Sequence, residues 1–107
     1  MDFSRYENLR ALVRANFSET TQRLVDEALE YADGKLAGVC RYDGAPMLDH
    51  AAAVASIVIS EVGLGRNSAV SSILHDVVRL AHKERPADEF LALTEEIRNR
   101  FGEQVVG

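Results

Sequence analysis

Three histidines, His50, His75 and His82, lie in a stretch where side-chain chemistry is otherwise mostly aliphatic, and His75 adjoins a carboxylate within the run Ile73-Leu74-His75-Asp76-Val77-Val78. An imidazole and a carboxylate set among aliphatic side chains are costly to bury unless each finds a partner. A divalent metal ion is one such partner, and a His-Asp donor set suits Mn²⁺, Fe²⁺, Zn²⁺ or Mg²⁺. The plainer alternative is a boundary pair with Asp76 turned towards solvent. His50 precedes His75 by 25 residues. One helix, a glycine turn and half of a second helix fill that interval, and an antiparallel pair of that length can bring the two imidazoles together. Arg79 follows His75 by four residues and Asp76 by three. All three can therefore share a helix face, where the guanidinium could pair with Asp76 and compete with a metal. His82 continues along that face but reads more simply as a surface histidine. Cys40 has no neighbours that would build a nucleophile site, so a semi-buried, inert thiol is expected.

The elements that must hold these groups are helical. Leu9, Leu12, Val13 and Phe17 recur at helical spacing and predict a first amphipathic helix over Ser4 to Asn16. Ser18 before Glu19 predicts the cap of a second, with Leu24, Ala28, Leu29, Tyr31 and Ala32 inward, fading at Gly34 to Gly38. Val39 to Asp49 carries loop chemistry: Asp43-Gly44 is a turn dipeptide, and Pro46 biases Ala45 away from the helical region. A third helix is predicted from Asp49 to Glu61, ended by Gly63-Leu64-Gly65. A fourth, capped by Asn67 or Ser68, runs to a break at Pro86. Thr94 is expected to cap a short fifth helix ending at Phe101-Gly102, and Gln104-Val105-Val106 to open a sixth that the chain end truncates. Without any period-two alternation, the class is all-α: about five helices plus a truncated sixth, in one domain spanning residues 1–107.

Composition narrows the functions. The formal net charge is −5, with no basic run, so the footprint of a nucleic-acid binder is missing. An anionic phosphorylated ligand would need a locally positive pocket or a metal against that field. A single cysteine cannot form an internal disulfide, and the charged start Met1 to Arg10 is no signal peptide. No apolar run approaches a membrane span. A cytoplasmic, soluble domain is expected.

The segment Arg41-Tyr42-Asp43-Gly44-Ala45-Pro46-Met47-Leu48-Asp49-His50 resembles the Arg-x-x-Gly-x-Pro-x-x-x-His signature of RelA/SpoT homologues. Ala53-Val54-Ala55, Leu74-His75-Asp76-Val77-Val78, and Thr94-x-Glu96-Ile97 with Phe101-Gly102 and Val105 follow in family order. The resemblance covers about Ala28 to the end. It implies an HD-domain-like helical bundle, the N-terminal hydrolase-type domain of a GTP pyrophosphokinase of the stringent response. Such domains remove pyrophosphate from the 3′ position of ppGpp or pppGpp with one Mn²⁺ held by two histidines and two aspartates. By position, His50, His75 and Asp76 would be three of those ligands, the fourth lying downstream of Gly107. Arg41, Gly44 and Pro46 would belong to the guanine-nucleotide pocket, though turn geometry alone also accounts for Gly44 and Pro46. A synthetase domain would lie farther along the polypeptide.

The pattern departs from the family at one place. Active hydrolases follow the His-Asp-x-x stretch with a Glu-Asp pair that positions and activates the attacking water; here Arg79 and Leu80 stand there. Leucine accepts no proton, and arginine is no general base at physiological pH. No intact catalytic set is therefore expected, hydrolysis should be weak or lost, and the site should be metal-poor with Arg79 partly filling the ion's electrostatic role. Two alternatives remain open. One is an active metal-dependent phosphohydrolase in which His82 or a downstream carboxylate positions water. The other is a non-catalytic helical module that binds a partner.

Overall fold

The computed structural model describes residues 1–63 and 65–106, and Leu64 of the expected glycine turn lies outside them. A 3-10 turn (Phe3–Tyr6) leads into α1 (Glu7–Asn16), followed by α2 (Glu19–Lys35) and α3 (Met47–Ile57), which runs on into a π-helical turn (Val58–Val62). After Gly63, α4 (Arg66–Glu84), α5 (Ala87–Phe101) and the short α6 (Glu103–Val106) complete the chain. Among the described residues there is no strand, only an isolated antiparallel bridge between Cys40 and Pro46. Among the described residues no helix is long and apolar enough to cross a membrane.

Local chemistry sets the helix ends. The first four helical residues take the 3-10 form, and the Asp2 carboxylate caps them by accepting from the Ser4 N–H at 2.9 Å. Ser18 caps α2 as expected, its hydroxyl oxygen accepting from the Thr21 N–H at 3.3 Å. Replacing Ser18 by Ala should therefore lower stability by about 1 kcal/mol, measured by urea denaturation, with Ser18→Asp retaining most of it. An unchanged midpoint in Ser18→Ala would show that the cap contributes nothing. α2 continues through Gly34, and only Gly38, at φ +77°, takes the left-handed conformation that leaves the helix.

Two expected starts are corrected. α4 begins at Arg66 with Gly65 as its N-cap and no side-chain acceptor, so Asn67 and Ser68 fall inside its first turn. Asn67 instead donates its side-chain amide to Gln104 of α6. α5 starts at Ala87 rather than at Thr94. Pro86, at φ −57°, is already set for the helical direction, and Asp88 and Glu89 favour a first turn. Thr94 is buried in mid-helix and gives its hydroxyl proton to the Leu91 carbonyl at 2.9 Å. α3 likewise begins two positions ahead of Asp49 and keeps α-helical geometry only to Ile57.

The core forms around α4. Its Ala69, Val70, Ile73, Leu74, Val77 and Ala81 are buried, at positions recurring every three or four residues. α2 contributes Val25, Ala28, Leu29 and Ala32, and α5 contributes Leu93, Ile97 and Phe101. α3 packs on α4 with Ala51, Ala52, Ala55 and Ser56 as its buried face. Small side chains there let the two backbones approach closely. That close approach places the head of α3 beside the middle of α4. The Arg10 guanidinium, forked onto both Asp26 carboxylate oxygens at 3.0 and 3.1 Å, ties α1 to α2.

Candidate functional site

α3 and α4 enclose a cavity of about 380 Å³ lined by His50, Ala51, Val54, Ser71, Ser72, His75 and Asp76. His50 sits in the first turn of α3, half-buried, and His75 and Asp76 in the middle of α4. The fold therefore brings together the three polar groups singled out from sequence. His75 is solvent-exposed, whereas Asp76 is 7% exposed. Ser71 and Ser72 add two hydroxyls that the sequence reading missed. They lie one helical turn ahead of His75 and Asp76, and that i, i+4 spacing was the available signal. Ser72 donates to the Ser68 carbonyl at 2.8 Å.

Asp76 does not turn to solvent. Its Oδ1 accepts from Arg79 Nε at 3.0 Å, across one turn of α4. The Arg79 side chain is 45% exposed and that of Asp76 10%, so the pair spans the boundary between cavity wall and solvent. Arg79 is thus where the i, i+3 spacing placed it, beside the one buried carboxylate of the cavity. Leu80 behaves differently. It packs partly buried against the core and lines a separate, small cavity with Lys35, Leu36 and Val39, away from the histidines.

The donor set is chemically suited to a divalent ion, but its arrangement is not. Among the described residues, no three His, Cys, Asp or Glu side chains converge into a group that could hold a metal. His50, His75 and Asp76 share a cavity without closing on a common point, and one Asp76 oxygen is taken by Arg79.

The loop before His50 is an ordered miniature hairpin. Arg41 N–H donates to the Ala45 carbonyl at 2.8 Å, Gly44 N–H to the Arg41 carbonyl at 2.9 Å, and Met47 N–H to the Val39 carbonyl at 3.0 Å. The Asp43 carboxylate accepts from the Ala45 N–H at 3.0 Å. Gly44 sits at φ +87°, where a side chain would be strained, and Pro46 occupies a bridge position at which no N–H is required. None of Arg41, Gly44 or Pro46 lines the histidine cavity. Arg41 is half-buried, its guanidinium 5.5 Å from the ring of Tyr42, which is 95% exposed at the tip.

A second polar cluster, not anticipated from sequence, fixes the base of α3. Asp49, beside His50, accepts from the Arg5 guanidinium and from the Tyr6 hydroxyl, the latter at 3.2 Å. Burial, and then the Asp49 carboxylate, push the Tyr6 hydroxyl up to about 12. The N-terminal turn is in this way tied to the residue preceding the cavity's first histidine. His82 is exposed, packs edge-on against Phe90 at 5.0 Å, and lies outside the cavity. Cys40, expected to be semi-buried, is exposed on the hairpin.

No curated protein and no solved structure matches this chain. The family model described as an HD domain matches residues 28–107. That span starts within α2 and takes in the hairpin, α3, α4, the cavity and the C-terminal helices. The all-α helical bundle agrees with the match, and the chain belongs to the HD domain family, whose fold is that of metal-dependent phosphohydrolases.

Proposed function

We propose that this chain is the hydrolase-type domain of a RelA/SpoT-like GTP pyrophosphokinase. In this reading hydrolysis has given way to recognition of a guanine nucleotide, ppGpp or pppGpp, and to control of a synthetase domain farther along the polypeptide. The observation that carries it is the Arg79–Asp76 ion pair at 3.0 Å, at the position where a hydrolase of this kind needs an acidic group. A guanidinium cannot take a proton from water, and its charge is opposite to the one required. It can, however, neutralise Asp76 and leave the cavity free of net negative charge at that wall, which favours an anionic ligand. In the family, Mn²⁺ would be held by His50, His75 and Asp76 and would supply the activated water. The present arrangement of those groups argues against that role.

The hairpin supports the nucleotide part of the reading. Three backbone hydrogen bonds and the Asp43 turn hold Arg41, Gly44 and Pro46 in one conformation directly ahead of His50. A pre-ordered loop loses little entropy when a ligand docks on it. Titration of ppGpp into the chain, followed by backbone amide shifts, should perturb residues 41–50 with no pyrophosphate release. Arg41→Ala should weaken binding about tenfold, the usual loss for one charge-assisted hydrogen bond. Unperturbed hairpin amides at saturating nucleotide would reject the proposal.

The persistence of a cavity with both histidines favours a second reading, an active phosphohydrolase of unfamiliar design. Turnover assays decide between the two.

A further inference from the structure

Three arginines from three helices line a groove that the histidine cavity does not use. Arg23 of α2, Arg66 at the head of α4 and Arg100 in the last turn of α5 line one open groove of about 410 Å³. Thr20, Leu24 and Glu27 of α2, with Phe101, complete its walls, and none of these residues lines the cavity of His50 and His75.

The sequence explains part of the convergence. Thr20, Arg23, Leu24 and Glu27 follow the i, i+3, i+4, i+7 spacing and so form one stripe along α2. Half-buried Leu24 and buried Phe101 give the groove an apolar base, which leaves the guanidinium groups at its rim. Gathering three arginines around a single lining carboxylate, Glu27, runs against the chain's net charge of −5.

Intramolecular partners neutralise these cations weakly. Arg23 meets Glu19 at 3.4 Å between side chains 70% and 81% exposed, and Arg100 meets Glu96 at 3.8 Å with both about half exposed. Pairs so open to water contribute little and yield readily to a better-fitting anion. Arg66 enters no ion pair among the described residues. Arg100 is already held in place, with its guanidinium 5.0 Å from the centre of the Tyr31 ring and 5.5 Å from that of Phe101.

We propose that this groove is a binding site for a phosphoryl group, of the size of phosphate or pyrophosphate. Planar guanidinium forks match phosphate oxygens in pairs, which a single lysine could not do, and the Thr20 hydroxyl can donate one further hydrogen bond. The groove is open and has room for either group. The positive end of the α4 dipole lies at the same rim, since Arg66 is that helix's first residue, though the three arginines suffice without it. This site does not depend on the nucleotide reading of the other cavity.

The whole chain is titrated with inorganic pyrophosphate at constant ionic strength and, separately, with a phosphoserine peptide of neutral flanks, observing amide and arginine side-chain resonances. Saturable shifts confined to residues 20–27, 66 and 100 are expected. Arg66→Ser should weaken binding about tenfold. Glu27→Gln should tighten it, because the variant removes a carboxylate that lines the groove and repels the anion. These side chains are exposed, and equal thermal midpoints will show that the fold is kept; should Arg66→Ser fail that check, Arg23→Gln replaces it. Tighter binding of pyrophosphate identifies a free ligand, and tighter binding of the peptide identifies a phosphorylated protein; both support a phosphoryl site. Weak shifts spread over all arginines, or equal affinity in the arginine variant and the parent, would overturn it.

Discussion

Incubated with ppGpp or pppGpp and Mn²⁺, the purified chain is expected to release no pyrophosphate above background. The cause is local to one turn of α4. The group facing Asp76 is a guanidinium, 3.0 Å from the carboxylate, where proton abstraction from water would need a base. Loss of a positioned general base by itself lowers rates by about 10²–10⁴-fold. The two positions that depart from the hydrolase pattern are not equivalent. Arg79 lies beside the cavity, whereas Leu80 packs towards Lys35, Leu36 and Val39. Arg79→Glu alone should therefore recover most of whatever activity can be recovered. Adding Leu80→Asp should contribute little and should lower stability, because it sets a charge against partly buried apolar surface. Manganese-dependent turnover by the parent chain would overturn the expectation directly. A double variant far more active than Arg79→Glu would show that α4 presents its residues differently.

The second large effect concerns the ion itself. Mn²⁺ affinity should rise about ten- to a hundredfold in Arg79→Ala. Two unit charges about 6 Å apart interact by roughly 3 kcal/mol at an effective dielectric of 20, and a divalent ion feels about twice that. Arg79 is 45% exposed and can swing into water, which removes much of this repulsion and leaves an expected penalty of one to two decades. Removing the guanidinium also frees the Asp76 oxygen that it occupies. Paramagnetic broadening of the His50 and His75 ring resonances would locate the ion, and isothermal titration would measure its affinity. Equal affinities in parent and variant would show that Arg79 plays no part in excluding metal. Micromolar binding by the parent would restore the three-ligand site.

Much of this arrangement was legible in the sequence, for identifiable reasons. His50 and His75 share a cavity because α3 and α4 pack against each other, and the helical periodicity of both segments is written in the residues. Arg79 meets Asp76 because i, i+3 neighbours on a helix face are close in any fold. Expectation and structure part where two local signals compete. Thr94-Glu95-Glu96 looks like a cap followed by an acidic first turn, but Pro86-Ala87-Asp88-Glu89 is an equally good start, and the longer helix also carries Leu93 into the core. Asn67 and Ser68 are good capping residues that stand two and three positions past the actual cap, Gly65, and tertiary bonding to Gln104 claims the Asn67 side chain instead. The tie of Arg5 and Tyr6 to Asp49 joins residues more than forty positions apart, which no window along the chain can show. The arginine groove was hidden for the same reason, since its three cations come from three helices.

The hairpin of Val39 to Met47 has a further consequence. Its amides at Arg41, Gly44, Ala45 and Met47 are hydrogen-bonded within the loop, although Tyr42, Asp43 and Gly44 are exposed. Solvent exposure and backbone mobility are therefore uncoupled in this segment. A protease needs several residues of extended, pliable chain, and this loop holds its backbone in a turn closed at both ends. The most exposed aromatic residue among those described thus stands on a loop held by its own hydrogen bonds, so replacing the Tyr42 side chain removes none of the bonds that close the hairpin.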